Sequence, residues 1–217
     1  MTAIYVDLDG TLLQYDRSFA DIFADACEQV GVAPPEKYQQ YYVQRFFDRF
    51  AAFHDDPFLA AACDLRREFG LDVDPVAFRD ARVDAELAAT TVAAGVRDAL
   101  DALGREHRLG VLSNGIGAVQ REKLAVHDLL GLFDAVVVSH DVGATKPDEQ
   151  IFETAELRLP ADEHVYVGDD AEDDVGGAVD SGWKSTVHVV ADDADCPGCR
   201  ADLHVAPDEF DRLGEVL

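Results

Sequence analysis

Asp7 and Asp9, two apart in Asp7-Leu8-Asp9-Gly10-Thr11, are the residues of this chain best suited to chemistry. They follow Ala3-Ile4-Tyr5-Val6, whose β-branched and aromatic content reads as a buried strand. Period-two geometry puts both carboxylates on one side at the carboxyl end of that strand. Like charges held that close cannot both stay ionised unaided, so the pair implies a bound cation or a shared proton. Gly10 permits a sharp turn where a substrate must come near, and the Thr11 hydroxyl can hold a neighbouring carboxylate. An acidic strand-to-loop turn without chemical consequence is the reading that this segment alone leaves open.

The elements around this pair must form a sheet edge. Residues from about 17 to 91 show helical patterns only: Ser18 precedes Phe19, Ile22, Phe23 and Ala26; Pro34-Pro35 opens Tyr38, Tyr41, Tyr42 and Phe46; Pro57 opens Leu59 to Phe69; Pro75 opens Phe78 to Leu87. Four amphipathic helices in succession predict a small bundle. From Gly95 the pattern alternates: helix 95–107, strand 109–113, helix 117–126, strand 134–139, helix 148–157, strand 164–168, helix 173–181 and strand 185–190. The expected fold is α/β, a Rossmann-like three-layer parallel sheet (1–16 and 92–217) with an inserted helical bundle (17–91). Ligands of such sheets sit beyond the carboxyl ends of the strands. That singles out Asp7 and Asp9, Ser113-Asn114-Gly115, His140 to Lys146, and Gly168-Asp169-Asp170, each with polar groups suited to phosphate chemistry.

Composition narrows the class of function. The 217 residues carry 44 acids against 18 bases, a net charge of −26, and the apolar share of 48% is that of a globular protein. Such a surface repels nucleic acid and anionic membranes, so neither is an expected partner. No stretch reaches the roughly 18 apolar residues that cross a bilayer, and Met1-Thr2-Ala3 lacks the basic start of a signal peptide, which predicts a cytoplasmic protein. Asp supplies 31 of the acids and Lys only four of the bases, a balance like that of proteins from salt-accumulating organisms. Molar salt shortens the screening length from roughly 10 Å at 0.1 M to about 3 Å at 1 M and makes the self-repulsion bearable. The expected result is loss of the helical circular-dichroism signal as salt is dialysed away; full stability in dilute buffer would contradict a halophilic origin. Cys27 and Cys63 fall on apolar helical faces and are expected to fill core.

Four motifs in order carry a resemblance. They are Asp7-Leu8-Asp9-Gly10-Thr11-Leu12; Val111-Leu112-Ser113-Asn114-Gly115; Lys146-Pro147 ahead of Ile151-Phe152; and Val167-Gly168-Asp169-Asp170-Ala171-Glu172-Asp173-Asp174. With these the chain resembles the haloacid dehalogenase superfamily, in particular phosphatases like phosphoglycolate phosphatase with a helical cap inserted after the first motif. The resemblance covers nearly the whole chain. It implies a Mg²⁺-dependent phosphomonoester hydrolase for a small phosphorylated metabolite. In it Asp7 attacks phosphorus, and Asp9 protonates the leaving oxygen, activates water and lends its backbone carbonyl to the metal. Asp169 completes the Mg²⁺ site with Asp7, and Asp174 supports it from farther out. Lys146 holds Asp7 and the phosphate, while Thr11, Ser113 and Asn114 complete the phosphate grip.

The same resemblance admits other chemistries. A dehalogenase normally lacks the second carboxylate, here Asp9; a phosphonate hydrolase needs a cap lysine, and only Lys37 is there; a sugar phosphomutase usually has a cap base where this chain has Phe19. An idle binding module would not need the full set Asp7, Asp9, Lys146 and Asp169. Motif four departs from the pattern at Asp170 and Asp173, and the turn before Val96 has Ala94-Gly95 where Pro-Gly is common. In the cap, Arg17, Tyr41, Arg45, Phe46, Arg49 and His54 either face substrate or form bundle core with snorkelling charge. Cys196-Pro197-Gly198-Cys199, flanked by His188 and His204, is unexplained by the resemblance; two reduced thiols in a loop, a structural Zn²⁺ site and a redox pair all remain open.

Overall fold

The computed structural model describes residues 1–33, 35–190 and 199–216. Strand β1 (Thr2–Val6) leads through motif one to β2 (Leu13–Tyr15), followed by helices α1 (Phe19–Gln29), α2 (Glu36–Ala51), α3 (Pro57–Phe69) and α4 (Pro75–Ala88). The chain returns through β3 (Thr90–Val92), α5 (Val96–Leu103), β4 (Arg108–Ser113), α6 (Gly117–Val126), β5 (Ala135–Val138), α7 (Ser139–Val142) and α8 (Glu149–Arg158). Then come β6 (Glu163–Gly168), a π-helical turn (Ala171–Gly176), α9 (Gly177–Asp180), β7 (Ser185–Val189), β8 (Leu203–Val205) and a 3-10 segment (Phe210–Val216). Two units result, Met1–Gln14 with Thr91–Leu217, and Tyr15–Thr90.

The first unit is a six-stranded parallel sheet in the order β5-β4-β1-β6-β7-β8. Alternation along β1 explains the layers. Ile4 and Val6 pack on one face with Val96, Ala99 and Leu100 of α5, Leu124 of α6 and Phe210. Ala3 and Tyr5 pack on the other with Ile151, Phe152 and Ala155 of α8 and Ala178 of α9. The strand order reverses beside β1, since β4 and β5 lie on one side of it and β6, β7 and β8 on the other. Asp7 and Asp169 leave the carboxyl ends of the two strands, β1 and β6, at that reversal.

The second unit owes its helices to their starts. Ser18 and Asp21 form a reciprocal capping box on α1, and Asp56 and Asp74 cap α3 and α4 with proline in the first turn of each. Phe23, Tyr42 and Phe78 meet edge to face or tilted at 5.4–5.8 Å between ring centroids.

Several expectations change. Cys27 is buried, but Cys63 is exposed: the core face of α3 runs through Phe58, Ala61, Ala62 and Leu65, and position 63 points away from it. Phe19 is likewise 59% exposed, because the face of α1 that packs is Ile22, Phe23, Ala26 and Cys27. The helix expected over 173–181 is a π turn joined to a four-residue helix. Pro34 and the segment 191–198, with Cys196, lie outside the described residues.

Candidate active site

Asp7 stands just past β1, and its amide donates to the Val167 carbonyl of β6 at 2.8 Å. Its carboxylate meets a buried lysine. The Lys146 ammonium donates to Asp7 Oδ1 at 2.8 Å, to Asp174 Oδ1 at 2.5 Å and to the Tyr166 hydroxyl at 2.8 Å, so all three of its protons have acceptors. Tyr166, rising from β6, in turn donates to the Leu112 carbonyl of β4 at 2.7 Å. Lys146 is 5% exposed, a cation fixed in the interior rather than a mobile surface charge.

Asp169 closes the group. Thr11 Oγ1 donates to Asp169 Oδ1 at 2.9 Å, and carboxylate oxygens of Asp7, Asp169 and Asp174 lie within 4.8 Å of one another. Gly10, at φ +88°, keeps this approach possible, for a Cβ there would stand 2.7 Å from Asp169 Cγ. Three carboxylates face one ammonium here, an excess of two negative charges. Burial pushes the Asp7 carboxyl upward, against the Lys146 charge and with help from Asp174 and Asp169. Asp169 reaches solvent, yet the protein packed around its carboxylate raises it, opposed by the Thr11 hydrogen bond and aided by Asp174. Burial works against the charged form of Lys146, but Asp174 and Asp7 overcome it and hold the ammonium charged. Hard oxygen donors with two surplus negative charges suit Mg²⁺. Of the three, Asp174 is already engaged on both oxygens: Oδ1 accepts from Lys146, and Oδ2 accepts from the Asp170 amide at 3.0 Å.

Asp9 faces a different partner from Asp7. Regular alternation ends with β1 at Val6, so Asp9 turns to α6, where Lys123 donates to its two oxygens at 2.8 and 3.1 Å and Gln120 donates to Oδ2 at 2.7 Å. Gln120 also donates to Ser113 Oγ at 2.9 Å, linking motif one to motif two. Lys123 and Gln120 are buried side chains that the motif reading missed. The signal was available, since Lys123 is one of only four lysines and Gln120 and Lys123 are one helical turn apart.

Asn114 braces the loops: its Oδ1 accepts from the Lys146 amide at 2.8 Å and its Nδ2 donates to the Lys146 carbonyl at 3.2 Å. Asp170 has a structural task, its carboxylate accepting from the amides of Glu172 and Asp173 at 2.8 and 2.7 Å as the cap of the π turn. Burial and the Asp170 charge raise Asp173. Among the bundle residues, Arg49 pairs with Asp64 at 2.9 Å, Arg45 lies over the Tyr41 ring, and His54 Nδ1 accepts from the Asp56 amide, which ties each to its own unit.

The family model for haloacid dehalogenase-like hydrolases matches residues 4–188. The chain belongs to that family. It is 32% identical over 125 residues to the pyrimidine 5′-nucleotidase YjjG of Escherichia coli, covering 54% of this chain and 56% of that one. It is 40% identical over 88 residues to a glyceraldehyde 3-phosphate phosphatase of Methanothermobacter thermautotrophicus, covering 40% and 39%. The chain thus spans about half the length, or less, of these curated relatives. The fold recurs in the magnesium-bound HAD-hydrolase YfnB of Bacillus subtilis, with a TM-score of 0.73 at 20% identity over 97% of this chain and 96% of that one. In this haloacid dehalogenase-like chain the four motifs lie at the carboxyl ends of β1, β4 and β6 and in the loop that carries Lys146.

Proposed function

We propose that this chain is a cytoplasmic, Mg²⁺-dependent phosphomonoester hydrolase that works through an aspartyl-phosphate on Asp7. The observation that carries the reading is the buried Asp7 carboxylate, held 2.8 Å from Lys146 and grouped with Asp169. A carboxylate nucleophile divides one hard displacement into two easier ones. An Asp7 oxygen forms the bond to phosphorus as the bond to the leaving alkoxide breaks; Asp9, having taken up a proton from solvent beforehand, gives it to the alkoxide and is left ionised. Asp9 then takes a proton from water as the water oxygen attacks phosphorus, releasing inorganic phosphate and restoring Asp7. Lys123 and Gln120 engage both Asp9 oxygens, so each transfer opens one of those contacts. Ser113, Asn114 and Thr11, braced by Gln120, the Lys146 amide and Asp169, are the proposed partners of the phosphoryl oxygens, and the fixed Lys146 charge would offset the charge that builds on them. Asp7 and Asp169 would hold Mg²⁺, which when bound would supply Lewis-acid polarisation and offset the repulsion between two anions.

The substrate class is a small phosphorylated metabolite, and the relatives direct the choice of assay toward pyrimidine 5′-nucleotides and glyceraldehyde 3-phosphate. The test is phosphate release from p-nitrophenyl phosphate and from that panel, in molar KCl, with and without Mg²⁺. Mg²⁺-dependent release supports the reading; no release from any of them overturns it.

Mg²⁺ should also stabilise the fold by binding the folded state alone. At a hundred times Kd the gain is about 2.7 kcal/mol, or roughly 5–10 °C in Tm for a chain of this size. Its sign with pH follows from the raised Asp7 and Asp169 carboxyls: they stay protonated to higher pH than ordinary carboxyls and must ionise to hold the ion. The Tm gain should therefore be larger at pH 8 than at pH 5. An equal gain at both, by scanning calorimetry, would place Mg²⁺ elsewhere.

A further inference from the structure

The edge of the sheet opposite β5 brings together three ligand-bearing side chains that phosphate chemistry does not use. His188 of β7 and His204 of β8 are partners in the parallel register. Cys199 precedes Arg200, which is anchored by an ion pair to Asp180 at 2.7 Å and a hydrogen bond to the Gly176 carbonyl at 2.8 Å. Ligand atoms of the three converge within 4.8 Å. His188 Nδ1 lies 3.3 Å from His204 Nδ1 and 3.7 Å from Cys199 Sγ.

We propose that His188, Cys199 and His204 bind a Zn²⁺ ion, separate from the carboxylate site. Three independent points support this. The first is size: Zn–N near 2.0–2.1 Å and Zn–S near 2.3 Å about a tetrahedral centre put two nitrogens about 3.3 Å apart and a nitrogen and a sulfur about 3.6 Å apart. The second is the tautomer of His188. Its Nε2 is 2.9 Å from the backbone carbonyl of Asp169, which can only accept, so Nε2 carries the proton and the Nδ1 lone pair points at Cys199 and His204. A metal-bound histidine whose other nitrogen donates to a backbone carbonyl is the usual arrangement. The third is ligand type, since imidazole and thiolate together favour Zn²⁺ over the oxygen-seeking Mg²⁺. Cys199 closes a Cys-x-x-Cys pattern with zinc-ligand spacing in the sequence, although Cys196 lies outside the described residues and the proposal rests on the other three.

The ion would do two things. It would join β7, β8 and Cys199 at the edge of the sheet. It would also fix the ring of His188, which holds the carbonyl of Asp169, so the zinc site and the carboxylate site share one hydrogen bond.

The test is metal content of the intact protein, purified in molar KCl after growth with added zinc and dialysed against zinc-free buffer. About one zinc per chain is expected in the wild type and in Asp169→Ala, and at least tenfold less in His204→Ala and Cys199→Ser. In His204→Cys, which restores a soft ligand, zinc should return. Cobalt added to the zinc-free protein should give tetrahedral d–d bands and a thiolate charge-transfer band that Cys199→Ser removes. Should His204→Ala fail to fold, Cys199→Ser and the cobalt spectrum still decide. Equal zinc in wild type and Cys199→Ser, loss of zinc in Asp169→Ala, or a wild type without zinc would each overturn the proposal. None of these outcomes depends on whether Asp7 is a nucleophile.

Discussion

Asp7→Asn is expected to lower the turnover of p-nitrophenyl phosphate at least about 10⁴-fold while leaving the fold intact, because removal of a covalent nucleophile typically costs that much or more. The amide is nearly isosteric with the carboxylate, and its oxygen can still accept the Lys146 hydrogen bond seen at 2.8 Å. What it lacks is an anionic oxygen to bond to phosphorus. The effect on stability should have the opposite sign to that on activity. Burial and the neighbouring Asp174 and Asp169 charges raise Asp7, so its ionised form is disfavoured in the folded state relative to the unfolded one. Above the ordinary carboxyl range the folded protein bears that cost, and the neutral amide removes it. Tm in Mg²⁺-free buffer at pH 7.5 should therefore equal or exceed that of the wild type. A variant within tenfold of wild-type turnover would remove Asp7 as the nucleophile. A large loss of activity accompanied by a large drop in Tm would point to misfolding instead.

The parts of this fold that could be read from the sequence are those where local pattern and tertiary role agree. The continuous apolar strands β1, β4 and β6 are buried on both faces, and the polar residues that follow each one gather at the reversal of strand order. Short elements were not legible: β2, β3 and β8 have three residues each, too few to show any period. The carboxylate pair was legible as a motif but not as electrostatics. The pair implies a bound cation or a shared proton; what spacing does not show is that each carboxylate also meets a buried lysine of its own, Lys146 for Asp7 and Lys123 for Asp9. The second lysine comes from a helix more than a hundred positions away, and no local spacing encodes that meeting. Asp170 shows the reverse case. The motif leaves its role open, and in the fold it caps a π turn, its carboxylate accepting from the Glu172 and Asp173 amides. Cys63 failed because apolar neighbours mark a helix as amphipathic without fixing which residue at the margin of the stripe turns inward.

Lys146→Met should destabilise the protein strongly. The side chain is nearly matched in volume, so the effect isolates the charge. In the wild type one ammonium satisfies Asp7, Asp174 and Tyr166 at once, in a place where it is 5% exposed. Methionine leaves the Asp7 and Asp174 carboxylates facing each other and takes the Lys146 charge away from Asp169. Breaking a buried pair by deleting one partner costs about 3–5 kcal/mol, which for a chain of this size is a fall in Tm of roughly 6–20 °C. Turnover should fall about 10²–10³-fold or more, since a fixed charge at the developing oxyanion is lost. Mg²⁺ provides the control. It can neutralise the surplus carboxylate charge and so recover part of the Tm, but it cannot donate a hydrogen bond from the position of Nζ, so activity should stay low. Lys146→Arg sharpens the point: the planar guanidinium keeps the charge but not the three-way geometry of the ammonium, and should restore Tm more than turnover. If Lys146→Met melted within about 2 °C of the wild type in Mg²⁺-free buffer, the three carboxylates would have to be neutralised by protons already. The buried lysine would then be a partner of Tyr166 and the strand ends, not the charge on which the site depends.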